Sequence, residues 1–134
     1  MSKTIILKHD GVRRVADGKV PEDGELCLAD IEDVAYRRAR VELDGDTRDL
    51  VDAFRRSAVE QLERDPNKRV YGVNTGFGSN FKDHVPPEAL KRLQRNLILS
   101  HCAGVGEPAP AEVVRATMLL RAASLARGHS MVRP

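Results

Sequence analysis

PPEALKRLQRNLILSH, Pro86 to His101, decides the fold class of this 134-residue chain. Two prolines, whose fixed φ suits a first helical turn, open it, and Leu90, Leu93 and Leu97 then recur at three- and four-residue spacing. The pattern predicts an amphipathic helix with Gly104 near its end as a stop signal, and His101 takes the next place on the leucine stripe. A polar ring where a leucine belongs needs a partner, because burying it unpaired costs about 1–3 kcal/mol. A satisfied core histidine and a ligand-binding one both meet that need.

Working outward, residues 111–127 predict a last helix with Val114, Met118 and Leu125 near one face and Gly128 as stop. On the other side, Leu50, Phe54, Ala58 and Leu62 predict a helix that Asp46 caps and Asp65-Pro66 ends. A shorter helix begins at Asp30, where DIED resembles a capping box with Asp30 as N-cap. Before it, TIILK and ELCL read as two strands separated by the turn signals Asp17-Gly18 and Asp23-Gly24. The expected fold is mainly α: amphipathic helices, paired as hairpins in the second half, behind a small β element at the N-terminus. Length favours a single domain over 1–134, with a β leader at 1–28 and a helical part at 29–134.

Composition narrows the function classes. Twenty-two Lys and Arg are interspersed with twenty Asp and Glu, so the linear sequence marks no obvious face for polyphosphate and nucleic acid is not an expected partner. The apolar run Ile5-Ile6-Leu7 is too short for a signal peptide or a membrane span, which points to the cytoplasm and away from a membrane partner. Cys27 and Cys102 have no ligand or disulfide spacing and read as reduced thiols, Cys102 as a small buried apolar group. His9, His84 and His129 show no mutual spacing for a metal, and none is expected.

Between the helices lies VYGVNTGFGSN, Val70 to Asn80, nearly uncharged in a chain that is 31% charged. Gly72, Gly76 and Gly78 permit close backbone approach to a small ligand. The GxG pair follows no hydrophobic strand and has no GxGxxG or GxxxxGKS spacing, so it is a poor phosphate cradle. Read alone, the loop packs Tyr71 and Phe77 into a core more often than it does chemistry.

Taken together, VYGVNTGFG, LQRNLILSHCAGVGEP and LLRAASLARGHSMVR, in this order, resemble the N-terminal part of the histidine, phenylalanine and tyrosine ammonia-lyases and their aminomutase relatives, histidine ammonia-lyase most closely. The resemblance runs from Leu26 to Arg133. It implies elimination of ammonia across the Cα–Cβ bond of an amino acid, activated by a methylidene-imidazolone (MIO) electrophile that forms from an internal Ala-Ser-Gly. Tyr71 matches the family's catalytic base, and a phenol, with a pKa near 10 when free, serves that role better where hydrogen bonds favour its anion. Gly78 matches a glycine that passes close to the substrate. Ser100 and His101 match a two-residue switch that contacts the substrate side chain, and Ser-His is its histidine-lyase form.

Ser79 to His84, SNFKDH, departs from ordinary histidine lyases, which keeps a tyrosine ammonia-lyase or aminomutase component as the alternative. Met131 stands where relatives have glycine. None of the serines at 2, 57, 79, 100, 124 and 130 is followed by glycine, so no Ala-Ser-Gly lies within the chain. The resemblance therefore implies a lyase component that is inert alone and is completed by a second segment or chain carrying the MIO, in a tetramer-like oligomer. A non-catalytic, lyase-derived binding module is the third possibility.

Overall fold

The computed structural model describes residues 3–17 and 19–134, which fall into two compact units: one comprises residues up to Gln61 together with Ala109–Pro134, the other Leu62–Pro108. The fold is mainly α with a small sheet, as the helical periodicity predicts.

In the first unit, β1 (Lys3–Lys8) turns through His9-Asp10 into antiparallel β2 (Gly11–Ala16), and β3 (Glu22–Gly24) pairs with β2. After α1 (Leu28–Ala35), β4 (Arg40–Leu43) returns parallel to β1, giving the strand order β3-β2-β1-β4. Two expectations fail here. Asp23-Gly24, expected as a turn, lies in β3 and pairs with Arg13 and Val12. ELCL is not a strand: Leu28 already begins α1, and the partner of β1 is GVRRVA, whose arginines hid its alternation. Of the Asp17-Gly18 turn, Gly18 lies outside the described residues.

The start of α1 also differs. Cys27 is the N-cap and Asp30 sits at N3, where its carboxylate accepts the Cys27 backbone N–H at 3.0 Å. Asp30 is fully buried, yet it accepts both Arg14 Nε (2.8 Å) and Nη2 (2.7 Å) as well as Lys3 Nζ (3.1 Å). Lys3 also donates to Asp33 at 2.6 Å, and Arg37 to the other oxygen of Asp33 at 2.5 Å. Burial raises the Asp30 carboxyl's pKa, but the Arg14, Cys27 and Lys3 donors outweigh it and hold that carboxyl far below its usual range. Asp33 is lowered too, chiefly by Lys3.

Apolar residues close the unit. Alternation along β1 puts Ile5 and Leu7 on one face, where they meet Val12, Val34, Leu119 and Ala126. α2 (Gly45–Arg64) has the expected length, but Asp44 rather than Asp46 caps it, accepting Thr47 N–H at 3.2 Å. Its buried residues are Thr47 and Val51, whereas Leu50 and Phe54 are each 42% exposed. α4 (Ala111–Ala126) likewise buries Leu119 and Ala126, with Ala123 beside them, and exposes Val114 and Met118. The physical reason is that AEVVRATMLLRAASLA is apolar almost all round, so its spacing selects no face.

The second unit holds the glycine loop and α3 (Pro87–His101), with Pro86 as N-cap and Pro87 in the first turn. Leu90, Leu93 and Leu97 form its half-buried stripe, and no residue of α3 is fully buried. The helix stops at Cys102, ahead of Gly104. Cys102 is exposed, contrary to the expectation of burial, because it follows the last helical turn into open coil. Among the described residues, no helix is long and apolar enough to cross a membrane.

Candidate active site

The loop that carries Tyr71 is built from polar groups. Asn74 Oδ1 accepts the Val70 N–H at 2.7 Å while its Nδ2 donates to the Lys68 carbonyl at 2.8 Å, which folds the chain back on itself before the tyrosine. Thr75 Oγ1 accepts the Gly72 N–H at 3.2 Å. Asn74 and Thr75 are 5% and 2% exposed, so the short polar side chains of VNTG are the interior of this loop. Beyond them, Val85 N–H donates to Asn74 O (2.9 Å), Gly76 N–H to Asp83 O (3.0 Å), and Thr75 bridges to His84. These pairs make a clasp with a 3-10 turn, Gly78–Asn80, at its tip.

Two glycines are required for different reasons. A Cβ on Gly76 would run into the backbone carbonyl of Asn80, so the clasp closes only around a hydrogen atom. Gly78 has φ +57°, the left-handed region, and a Cβ added there meets nothing within 4 Å. In this chain Gly78 is thus a conformational requirement, and the space in front of it is open.

That conformation aims the Gly78 N–H at Tyr71 Oη, to which it donates at 3.2 Å. The Tyr71 ring packs edge-on against Phe77 at 6.0 Å between centroids, yet the residue stays 63% exposed. Tyr71 is therefore not a core residue: one side is held by Phe77 and by a backbone donor, and the hydroxyl keeps its own proton free for another acceptor. An N–H donor at this oxygen continues to bond when the oxygen is anionic.

α3 anchors the loop through Gln94, whose Nε2 donates to the Gly72 carbonyl at 3.1 Å. Seven residues are nearly two turns, so Gln94 and His101 share a face of α3, about 10 Å apart along its axis. His101 is exposed at the helix end, not buried on the leucine stripe, because that stripe has no cover at its last turn. Its Nδ1 lies 2.8 Å from the Leu97 carbonyl, an acceptor, which puts a ring proton on Nδ1; in the neutral ring Nε2 is then the acceptor. Ser100 Oγ donates to the same carbonyl at 2.9 Å and lies 3.1 Å from Nδ1, so the pair fixes the ring's orientation. The structure thus places Tyr71, Gly78, Ser100 and His101 in one unit, Tyr71 touching Gly78 and Ser100 touching His101. Gln94, Asn74 and Thr75, which build the site, went unremarked in the sequence, although the N-T pair inside a glycine loop is the signal of a side-chain-to-backbone turn. Among the described residues no group of three or more His, Cys, Asp or Glu is arranged to hold a metal ion.

Residues 26–134 match the aromatic amino acid lyase family. The chain belongs to the aromatic amino acid lyase family. It is 44% identical over 110 residues to a histidine ammonia-lyase of Aromatoleum aromaticum, covering 82% of this chain and 20% of that protein. With a histidine ammonia-lyase of Symbiobacterium thermophilum it shares 46% over 108 residues, 81% of this chain and 21% of the relative. Among solved structures, Treponema denticola ergothionase superposes with a TM-score of 0.79 at 29% identity, over 97% of this chain and 23% of that one. Tyrosine aminomutase of Streptomyces globisporus gives 0.72 at 33% identity (81% and 20%). Histidine ammonia-lyase of Trypanosoma cruzi gives 0.70 at 31% (97% and 22%). The chain therefore spans about a fifth of the length of these aromatic amino acid lyase relatives.

Proposed function

We propose that this chain is the N-terminal component of a histidine-type ammonia-lyase and contributes the base and one substrate contact to its active site. The observation that carries the proposal is the Gly78 N–H donating to the oxygen of a 63% exposed Tyr71, a geometry suited to proton transfer and wasteful for packing. Once its own proton has passed to an acceptor on its exposed side, Tyr71 Oη takes the Cβ proton of the substrate, the C–H electron pair becomes the Cα=Cβ bond, and the protonated amino group leaves as ammonia with the C–N pair. MIO, from a segment outside these 134 residues, supplies the electrophile that activates the substrate. The chain's own residues leave room for such a partner, since the space at Gly78 is open and Tyr71 faces outward.

His101 Nε2 accepts a hydrogen bond from the substrate's side chain, an imidazole N–H in the reading we favour, and Ser100 holds the ring that does so. Homologous histidine ammonia-lyases at 44% and 46% identity support histidine as the substrate. A tyrosine lyase or aminomutase component is the second reading, supported by the SNFKDH tip, the 33% identity to a tyrosine aminomutase and the ability of Nε2 to accept a phenol O–H equally well. Completion by another segment or chain in an oligomer belongs to both readings.

The test is complementation. Symbiobacterium histidine ammonia-lyase lacking its matching N-terminal fifth is mixed with this chain and given histidine or tyrosine. Urocanate absorbance from histidine supports the first reading, coumarate or a β-amino acid from tyrosine the second. A stable complex with no turnover of either would leave only the non-catalytic module.

A further inference from the structure

The first unit contains a cleft of about 640 Å³ between the end of the β1–β2 pair and the turn that follows α1. Six basic side chains line it, Lys3, Arg14, Lys19, Arg37, Arg38 and Arg40, against the acids Glu22 and Asp33. The whole chain carries a formal excess of only two positive charges, so this cleft concentrates more than the chain's entire surplus, even with Asp30 behind it.

Four of the six are committed. Lys3 and Arg14 serve Asp30, Arg37 serves Asp33, and Arg40 pairs with Glu42 at 2.7 Å. Lys19 and Arg38, both exposed, have no acidic partner among the described residues. Arg38 is also the only non-glycine residue with positive φ (57°) among the described residues. It follows α1 at a place where glycine or asparagine usually stands, and an ordinary side chain there is strained. A cation near a helix C-terminus is favourable in itself. That accounts for one arginine and is already met by Arg37. It does not account for a second, strained one turned to a cleft of its own charge.

We propose that this cleft binds a compact small molecule bearing two or more oxyanion groups, phosphate or carboxylate, with Lys19 and Arg38 as its charge contacts. The volume lies within the roughly 300–1,000 Å³ of small-molecule sites and exceeds what one isolated oxyanion fills, hence the requirement for at least two. Charge-assisted bonds from a planar guanidinium and a mobile ammonium suit two separated anionic groups. The four committed cations add a field that needs no rearrangement. The inference does not depend on the proposed function, since all these residues lie in the first unit.

Isothermal titration of the 134-residue chain at low ionic strength with pyrophosphate, citrate and orthophosphate tests it. One saturable site per chain is expected, with pyrophosphate or citrate at least tenfold tighter than orthophosphate, and the tighter of the two identifies phosphate or carboxylate as the preferred group. Lys19→Ala combined with Arg38→Gly should weaken binding at least tenfold with an unchanged circular dichroism spectrum, since glycine accepts the backbone angle at 38. Lys19→Ala alone, which leaves the turn untouched, should weaken it at least threefold. Absence of saturable binding, binding at several sites, or equal affinity in wild type and variants overturns the proposal.

Discussion

The two units are stabilised in opposite ways. In the first, Ile5, Leu7, Val12, Val34, Leu119 and Ala126 bury one another, and a fully enclosed carboxylate, Asp30, ties β1, β2 and α1 together through Lys3 and Arg14. In the second, the buried side chains are Asn74 and Thr75, and the leucine stripe of α3 is only half covered. One unit is held by apolar burial with a charged clamp, the other by hydrogen bonds that shape a loop. The difference shows where the fold serves its own stability and where it serves geometry: the exposed tyrosine and histidine both belong to the second unit, the charge clamp to the first.

The largest expected effect that separates them is Asp30→Asn. It leaves Lys3 and Arg14 without their shared acceptor, and we expect a loss of about 3 kcal/mol in urea unfolding, at the low end for a broken buried pair because both cations are partly exposed. Amide exchange should accelerate across β1, β2 and α1 and stay unchanged at residues 70–85. Equal acceleration in both would break the comparison.

Acid should act on the same clamp. Asp30 and Asp33 have folded pKa values below that of an unfolded aspartate, about 3.9, so their contribution to stability is full above that pH and is lost as pH falls through the lowered values. Urea midpoints should hold between pH 7 and 5 as far as these groups are concerned and drop at pH 3, and Asp30→Asn should shrink that drop. A midpoint that rises on acidification contradicts the assignment.

Gly78→Ala sharpens the other side. No atom blocks the new methyl group, so the cost is that of φ +57°, about 1–2 kcal/mol, confined to the tip of the clasp. The amide resonance of residue 78 should lose the shift imposed by Tyr71 while the first unit keeps its spectrum. Smaller still is Gln94→Leu: one exposed hydrogen bond to Gly72 O, about 0.5–1 kcal/mol, read as faster exchange at residues 70–76.

Legibility in the sequence followed the same division. α2 and α3 showed in leucine spacing and proline placement, and the stripe Leu90, Leu93, Leu97 is the half-buried face of α3. Tyr71 and Gly78 stand out because a neutral glycine loop is conspicuous in a charged chain, but the hydrogen bond between them depends on a backbone angle that the sequence does not show. GVRRVA does not read as a strand because Arg14 pairs with Asp30, 16 residues away, and Arg13 with Asp23, 10 residues away, pairings that local alternation cannot show. Asp30 reads as an N-cap because its type suits either N-cap or N3, and only the backbone of Cys27 decides between them. β4 went unseen since four residues between two helices carry no period. The exposure of His101 was invisible for a physical reason: a stripe position predicts which face a residue occupies, not whether anything covers that face.

The central claim is that Tyr71 acts as the proton-accepting group of a shared lyase site, and the most direct measurement is turnover of histidine by the complemented assembly with Tyr71→Phe beside the wild-type chain. The phenyl ring preserves the packing on Phe77 and removes only the oxygen. We expect complex formation to be unchanged and the rate of urocanate formation to fall by about 10²–10⁴. An assembly that turns over histidine equally well without that oxygen would contradict the account.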